Sequence, residues 1–191
     1  MLSRDGGADR ERTERLTRAF PSSLRSDVTL ISNAICPSGM EGHGVLVIVQ
    51  NEPLQLPYRI EHTNDDSLFP QLNAHQALIY ACIRSRHLDG YVRQRQIRRL
   101  ACGAEPWVVP FLVQLGSEYV VEILHEIEAC LPLLDKHLYG TILRSNPAFL
   151  DLAQQRMISY WDCYYRRFRP KGESYVGFRL FEQFRNWQAA G

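Results

Sequence analysis

The strongest pattern of metal-binding residue types lies mid-chain, where Glu118, Glu122 and His125 follow one another at helical spacing. Glu122 and His125 form a Glu-x-x-His pair, the spacing that di-iron helical bundles use for their ligands. Such a site needs a second pair of this kind, and the sequence contains none. On a continuous helix over 106–129 the three side chains lie opposite the apolar face, toward water. The pattern therefore predicts a solvated acidic face, and neither a metal nor another cofactor is expected.

A run of arginines offers a second kind of chemistry, the binding of anions. Arg95, Arg98 and Arg99 lie on one side of a predicted helix, away from its apolar residues, and form a candidate binding surface. Arg93 falls on the apolar side, so we expect it to pair with a carboxylate. The chain is arginine-rich, with 20 Arg and 2 Lys, yet its net charge is only +1 and its pI about 7.7. Because dedicated nucleic-acid domains usually carry a basic excess, we expect the surface to contact protein.

An aromatic stripe is the third candidate. It recurs at helical spacing over 147–168 and consists of Phe149, Met157, Tyr160, Trp161, Tyr164 and Phe168. Exposed, such residues would offer flat faces and polar tips to a ligand. A stripe at helical spacing more often packs in a core. We therefore predict that Trp161 and Tyr164 are buried against the aromatic residues of 174–189.

Two kinds of element are expected to position these residues. Residues 27–35 and 44–50 are rich in β-branched side chains and are separated by a glycine-rich turn, and 55–61 is a possible third strand. From residue 73 onward the pattern is helical, in the six segments 74–86, 88–101, 106–129, 133–143, 147–168 and 174–189. The sequence therefore predicts an α+β fold, mainly an α-helical bundle with a small N-terminal antiparallel β-sheet or hairpin.

Domain organisation follows from the same composition. Residues 1–25 are polar and predict a loosely ordered arm. Residues 26–191 predict a single globular domain, with a β-rich part over 26–72 and a helical part over 73–191.

Compartment and partners complete the expectations. The five cysteines are scattered, odd in number and form no Cys-x-x-Cys pair, which indicates a reducing cytoplasm. No apolar run approaches the ~20 residues that span a bilayer, so no membrane partner is expected. We predict a protein-interaction or structural module without catalytic activity, whose partner is another protein or a second copy of the chain. The alternatives are a nucleic-acid-associated protein that uses the arginine helix and an enzyme with a dispersed site.

Overall fold

A computed structural model describes residues 5–63, 66–170 and 174–190 of the 191-residue chain. Within these ranges the α-helices are α1 Asp5–Thr17, α2 Arg25–Ile35, α3 Ala74–Arg84, α4 Gly90–Gln94, α5 Ile97–Ala101, α6 Val109–Leu115, α7 Val121–Cys130, α8 Lys136–Ser145, α9 Pro147–Tyr160 and α10 Val176–Ala189. The strands are β1 Gly39–Glu41, β2 Val45–Val49, β3 Glu52–Leu56 and β4 Arg59–Glu61. The prediction of an α+β, mainly helical fold is confirmed.

The strands form two antiparallel pairs, β1 with β4 and β2 with β3. In β2 the alternation is complete: Val45, Val47 and Val49 are buried while Leu46 and Ile48 point outward. Gln50 and Asn51 join β2 to β3 with φ of 50° and 67°, the left-handed conformation that a tight two-residue hairpin turn requires. The hairpin predicted for the N-terminal part is thus present, shifted to residues 39–61.

Helix α2 corrects the prediction of a strand over 27–35. Val28, Ile31, Ser32 and Ile35 are the buried residues of this helix, at the spacing of one helical face. The β-branched residues favoured a strand by type, but their burial follows a period of 3.6 residues, and packing against α1 and α3 decides the outcome.

The predicted arm is also more structured than expected. Residues 5–17 form α1, and Leu16, Ala19, Phe20 and Leu24 are buried in the core. The Phe20 ring lies 5.3 Å from that of Phe111, measured between centroids. A loose arm would not bury these side chains, so the second half of 1–25 belongs to the globular body. Residues 1–4 lie outside the described residues.

Two of the predicted helices are interrupted. Segment 88–101 contains the separate helices α4 and α5, and segment 106–129 contains a short 3-10 turn, α6 and α7. Between α6 and α7, the Ser117 hydroxyl donates to the Gln114 carbonyl at 2.7 Å and the Glu118 N–H to the Leu115 carbonyl at 3.1 Å. These short-range bonds end α6 instead of continuing it. Glu118 consequently lies in a connection rather than on a helix face.

Asn146 joins the helical part to the sheet. Pro147 follows it at the first position of α9, and the Asn146 side chain does not cap that helix. Instead it accepts from the Ile48 N–H at 2.6 Å and donates to the Ile48 carbonyl at 2.8 Å. The amide thus continues the hydrogen bonding of β2 in place of a neighbouring strand.

No helix in the described part of the chain is long and apolar enough to cross a membrane.

Candidate binding surface

A buried carboxylate lies in the connection between α6 and α7. Glu118 is 3% exposed, and three guanidinium groups surround it. The Nη2 atom of Arg59 lies 2.5 Å from Glu118 Oε2. The Nη2 atom of Arg86 lies 3.4 Å from Glu118 Oε1, and the Nη2 atom of Arg93 lies 3.4 Å from Glu118 Oε2. Arg59 belongs to β4, Arg86 to the connection that follows α3, and Arg93 to α4. The cluster therefore connects the sheet to the helices. We call these four residues the Glu118 cluster.

Backbone carbonyls hold the same guanidinium groups from behind. Arg93 Nη1 donates to the carbonyls of His87 and Leu88 at 2.8 and 2.7 Å. Arg86 Nε donates to Ser85 O at 2.8 Å, and Arg59 Nη1 to Tyr58 O at 2.9 Å. The expectation that Arg93 pairs with a carboxylate is confirmed.

The cluster has more positive than negative charge. Three arginines face one carboxylate, and Arg86 Nη1 and Arg93 Nε are buried without a hydrogen-bond partner among the described residues. Burial lowers the pKa of Arg86 to about 9, against the opposing effect of Glu118. Arg86 therefore remains protonated at neutral pH, and the cluster as a whole carries a net positive charge.

Two tyrosines extend from the cluster to the surface. Tyr58 precedes Arg59 and Tyr119 follows Glu118, so the buried ion pair fixes the backbone beside both rings. The Arg59 guanidinium also lies 4.6 Å from the centre of the Tyr58 ring. Such a contact is a cation–π interaction.

The last residue of helix α9 and the turn that follows it bring two more tyrosines, Tyr160 and Tyr164, to the same place. The hydroxyls of Tyr58 and Tyr160 are 3.2 Å apart and hydrogen-bonded. Tyr119, Tyr160 and Tyr164 are in mutual ring contact, with centroid separations of 5.7, 6.1 and 6.2 Å. The hydrogen bond to Tyr58, together with desolvation, raises the pKa of Tyr160 to about 12. We call Tyr58, Tyr119, Tyr160 and Tyr164 the tyrosine surface.

The aromatic stripe of α9 therefore leaves the core at its C-terminal end. Phe149 and Met157 are buried, but Tyr164 is 59% and Phe168 78% exposed. The prediction that Tyr164 is buried is wrong, and Trp161 is only partly buried, with its ring 5.1 Å from Phe178. The reason is a π-helical turn over Trp161–Tyr165, in which Arg166 N–H donates to Trp161 O. A wider turn changes the direction of successive side chains, and such turns are frequent at functional sites.

The tyrosine surface is fixed at its other edge as well. Tyr165 donates its hydroxyl proton to the Tyr119 carbonyl at 2.7 Å, and Trp161 Nε1 donates to the Arg169 carbonyl at 3.0 Å. Arg156 stacks on the outer side, with its guanidinium 5.4 Å from the centre of the Tyr58 ring. Arg166 pairs with Asp162 at 2.6 Å, and Arg167 is exposed. The tyrosine surface is thus accompanied by Arg156, Arg166 and Arg167, which we call the arginine rim.

The predicted arginine surface is arranged differently. Arg98 pairs with Glu126 at 2.7 Å, Arg95 lies 3.8 Å from Asp66, and Arg99 stacks 4.2 Å from the Phe69 ring centre. Arg95 and Arg98 line one shallow depression, whereas Arg99 lines another with His75 and Cys102. The three groups contact three different partners instead of converging on one point.

The three residues weighed as metal ligands are separated too. Glu118 is buried, which corrects the prediction that it points to water, while Glu122 and His125 are exposed. The correction has a simple cause: the helix is broken before Glu118, so helical spacing does not apply to it. Among the described residues no group of three metal-binding side chains comes together.

Sequence reasoning missed the Glu118 cluster and the tyrosine surface. The available signals were the pairs Tyr58-Arg59 and Glu118-Tyr119, in which a charged residue adjoins an aromatic one. Spacing could not connect them, because the two pairs are about sixty positions apart and meet only in the folded chain.

Comparison of the chain with family models, with curated proteins and with solved structures gives no match.

Proposed function

We propose that this chain is a protein-interaction module and that the tyrosine surface is where it binds its partner. The observation that carries the proposal is an assembly of four contacting tyrosines at the protein surface, of which Tyr119 is 46% and Tyr164 59% exposed. Tyrosine and arginine are enriched among the residues that dominate binding energy at protein interfaces. Both residue types are concentrated here.

The positioning of the tyrosines supports the same proposal. Tyr58, Tyr119 and Tyr160 are held by a hydroxyl–hydroxyl bond, by ring contacts and by the buried ion pairs next to them in the chain. Side chains that are already ordered lose little conformational entropy when a partner binds. A rigid aromatic surface of this kind therefore favours specific docking.

The nucleic-acid alternative through Arg95, Arg98 and Arg99 has weaker support from the geometry. Arg98 is paired with a carboxylate, and phosphate would have to displace Glu126 to reach it. Arg99 is stacked on Phe69 and faces a different depression. Protein contacts remain the proposal for these three residues.

A cytoplasmic location belongs to the proposal as well. All five cysteines are free, and Cys36, Cys102 and Cys163 are exposed. Exposed free thiols persist in a reducing compartment, whereas an oxidising one would pair them.

Site-specific photo-crosslinking tests the docking role. A photoreactive phenylalanine analogue would replace Tyr164, and a matched control would carry it at Leu46, which is 65% exposed on the hairpin. We expect the Tyr164 position to give an adduct with a discrete protein that the Leu46 position does not give. The purified partner must then bind the wild-type chain and bind Tyr119→Ala about tenfold more weakly. Equal crosslinking at both positions, or equal affinity of wild type and variant, would refute the proposal.

A further inference from the structure

We infer that the partner presents an acidic segment to the tyrosine surface, one in which Asp or Glu residues alternate with hydrophobic or aromatic ones. The inference rests on the proposed function, since it names the chemistry of the partner at that same surface. Three observations carry it: the excess of buried positive charge, the arginine rim, and the positions of the nearby carboxylates.

The buried charge lies directly beneath the tyrosines. Arg59, Arg86 and Arg93 share the single carboxylate of Glu118 within the core. Charges in a low-dielectric interior are screened less by salt than charges at the surface. The protein thus keeps a positive potential at Tyr58 and Tyr119, and this potential attracts an anionic segment.

Two arginines of the rim add cations that have no acidic partner among the described residues. Arg156 stacks on Tyr58, and neither Arg156 nor Arg167 has an ion pair among the described residues. Arg167 is exposed, and Arg156 is partly buried. A carboxylate of a bound segment can therefore pair with the Arg156 guanidinium while the neighbouring side chain of that segment packs on a tyrosine ring.

Most of the nearby carboxylates lie next to a cation or a backbone donor. Glu11 and Glu14 line a depression beside Tyr58 together with Arg15 and Arg18, and Glu14 also pairs with Arg10. Asp162 binds Arg166, and Asp89 accepts from the Tyr91 N–H at the start of α4. Glu122 is exposed and lines a depression next to Tyr119, on the side of α4 and α7. We therefore place the acidic segment at Arg156 and the tyrosine rings, away from Glu122 and from the depression that Glu11 and Glu14 line.

Charge also argues against a second copy of the chain as the occupant. In a symmetric dimer through this surface, the same patch faces itself. The arginine rims and the two buried clusters would then repel each other. A single-stranded nucleic acid would satisfy both stacking and charge, and the experiment below includes it as an outcome.

The inference can be tested by phage display, with peptides selected from a random library. The bait is the purified full chain, and the reference bait is the double variant Tyr119→Ala/Tyr164→Ala. Peptides enriched on the wild type but not on the double variant define the binding set. We expect Asp and Glu to be at least about twofold more frequent in this set than in the starting library.

The outcomes separate the two proposals. A binding set with no acidic enrichment overturns the inference on charge and leaves docking at the tyrosine surface in place. The absence of any peptide that distinguishes the two baits overturns both proposals.

Two further measurements test other occupants. If a labelled single-stranded oligonucleotide binds the wild type more tightly than any selected peptide, and this binding is lost in the double variant, both proposals are overturned. Self-association of the wild type in sedimentation, lost in the double variant, overturns the acidic partner in favour of a second copy.

Rim variants test the electrostatic part without touching the core. Arg156→Gln/Arg167→Gln should weaken the best selected peptide about two- to fivefold, and added salt should reduce the difference. The matched control is Arg25→Gln, an exposed arginine at the start of α2, and it should leave the affinity unchanged. An equal loss in both variants, or no loss in the rim variant, would contradict the role of the arginine rim.

Discussion

Two groups of arginines in this chain are close in sequence but differ in their surroundings. Arg86 and Arg93 are buried with Arg59 around the carboxylate of Glu118. Arg98 is exposed and forms an ion pair with Glu126. In the first group the positive charge exceeds the negative charge and lies under a surface of tyrosines. At Arg98 one guanidinium faces one carboxylate and is open to solvent. The difference shows that the number of arginines says less about function than the number of carboxylates that each group meets.

The largest expected effect is the loss of the central carboxylate. Glu118→Ala should lower the free energy of unfolding by about 3–5 kcal/mol, because it leaves buried guanidinium groups without their counter-charge. Urea unfolding measures the change. Glu126→Ala, which removes the carboxylate of the exposed pair, is the matched control and should alter the midpoint only slightly. Similar shifts for the two variants would show that the Glu118 cluster is no more important for stability than a surface ion pair.

Acid should destabilise the buried region in a defined pH window. Burial lowers the pKa of His62 from 6.5 to about 4, with smaller contributions from His87 and Arg84. Below pH 6.5 the unfolded chain binds a proton that the folded chain does not accept until about pH 4, so stability falls as the pH decreases through this range. The total loss is on the order of 3 kcal/mol.

Urea midpoints measured across this range test the prediction. His62→Gln should flatten the pH dependence of the urea midpoint, whereas the control His43→Gln, at an exposed position, should leave it as in the wild type. An unchanged slope in His62→Gln would show that other groups cause the acid sensitivity.

A smaller effect is expected within the tyrosine surface. Tyr58→Phe removes the hydroxyl that bonds Tyr160, so the pKa of Tyr160 should fall from about 12 toward the ordinary value of 10.0. Carbon NMR of labelled tyrosine over a pH titration measures it. The net stability change should be only about 0.5–1.5 kcal/mol. A Tyr160 pKa that does not change would mean that desolvation alone is responsible.

The smallest effect is expected at the exposed arginine. Arg98→Ala should leave the urea midpoint unchanged, because the guanidinium is in water and its pair with Glu126 is screened. The contrasting variant is Arg59→Ala, which removes the nearest of the three guanidinium groups around Glu118 and its contact with Tyr58, and it should unfold at clearly lower urea. A large shift in Arg98→Ala would remove the distinction between the two arginine groups.

Much of the architecture was predictable from local pattern. Residues close together in the chain account for three features: the helices after residue 73, the start of α9 at Pro147, and the alternating burial of the valines in β2. Each depends on a short-range pattern of residue types. The strand predicted over 27–35 is wrong because the residue types favour a strand while the spacing of Val28, Ile31 and Ile35 is helical. The burial predicted for Tyr164 is wrong because the regular helical spacing of the stripe does not continue through the π-helical turn.

The sequence by itself determined the class of fold, the arginine-rich composition and the pairing expected for Arg93, because each depends on composition or on neighbours a few residues apart. Only the tertiary structure decided that Arg59, Arg86 and Arg93 share Glu118, and that Tyr58 and Tyr119 meet Tyr160 at the surface. These contacts join residues far apart in the chain, and their energy exists only after the sheet and helices have packed. Because α6 ends at Leu115, Glu118 lies in the buried connection before α7 instead of on the solvated face of a continuous helix.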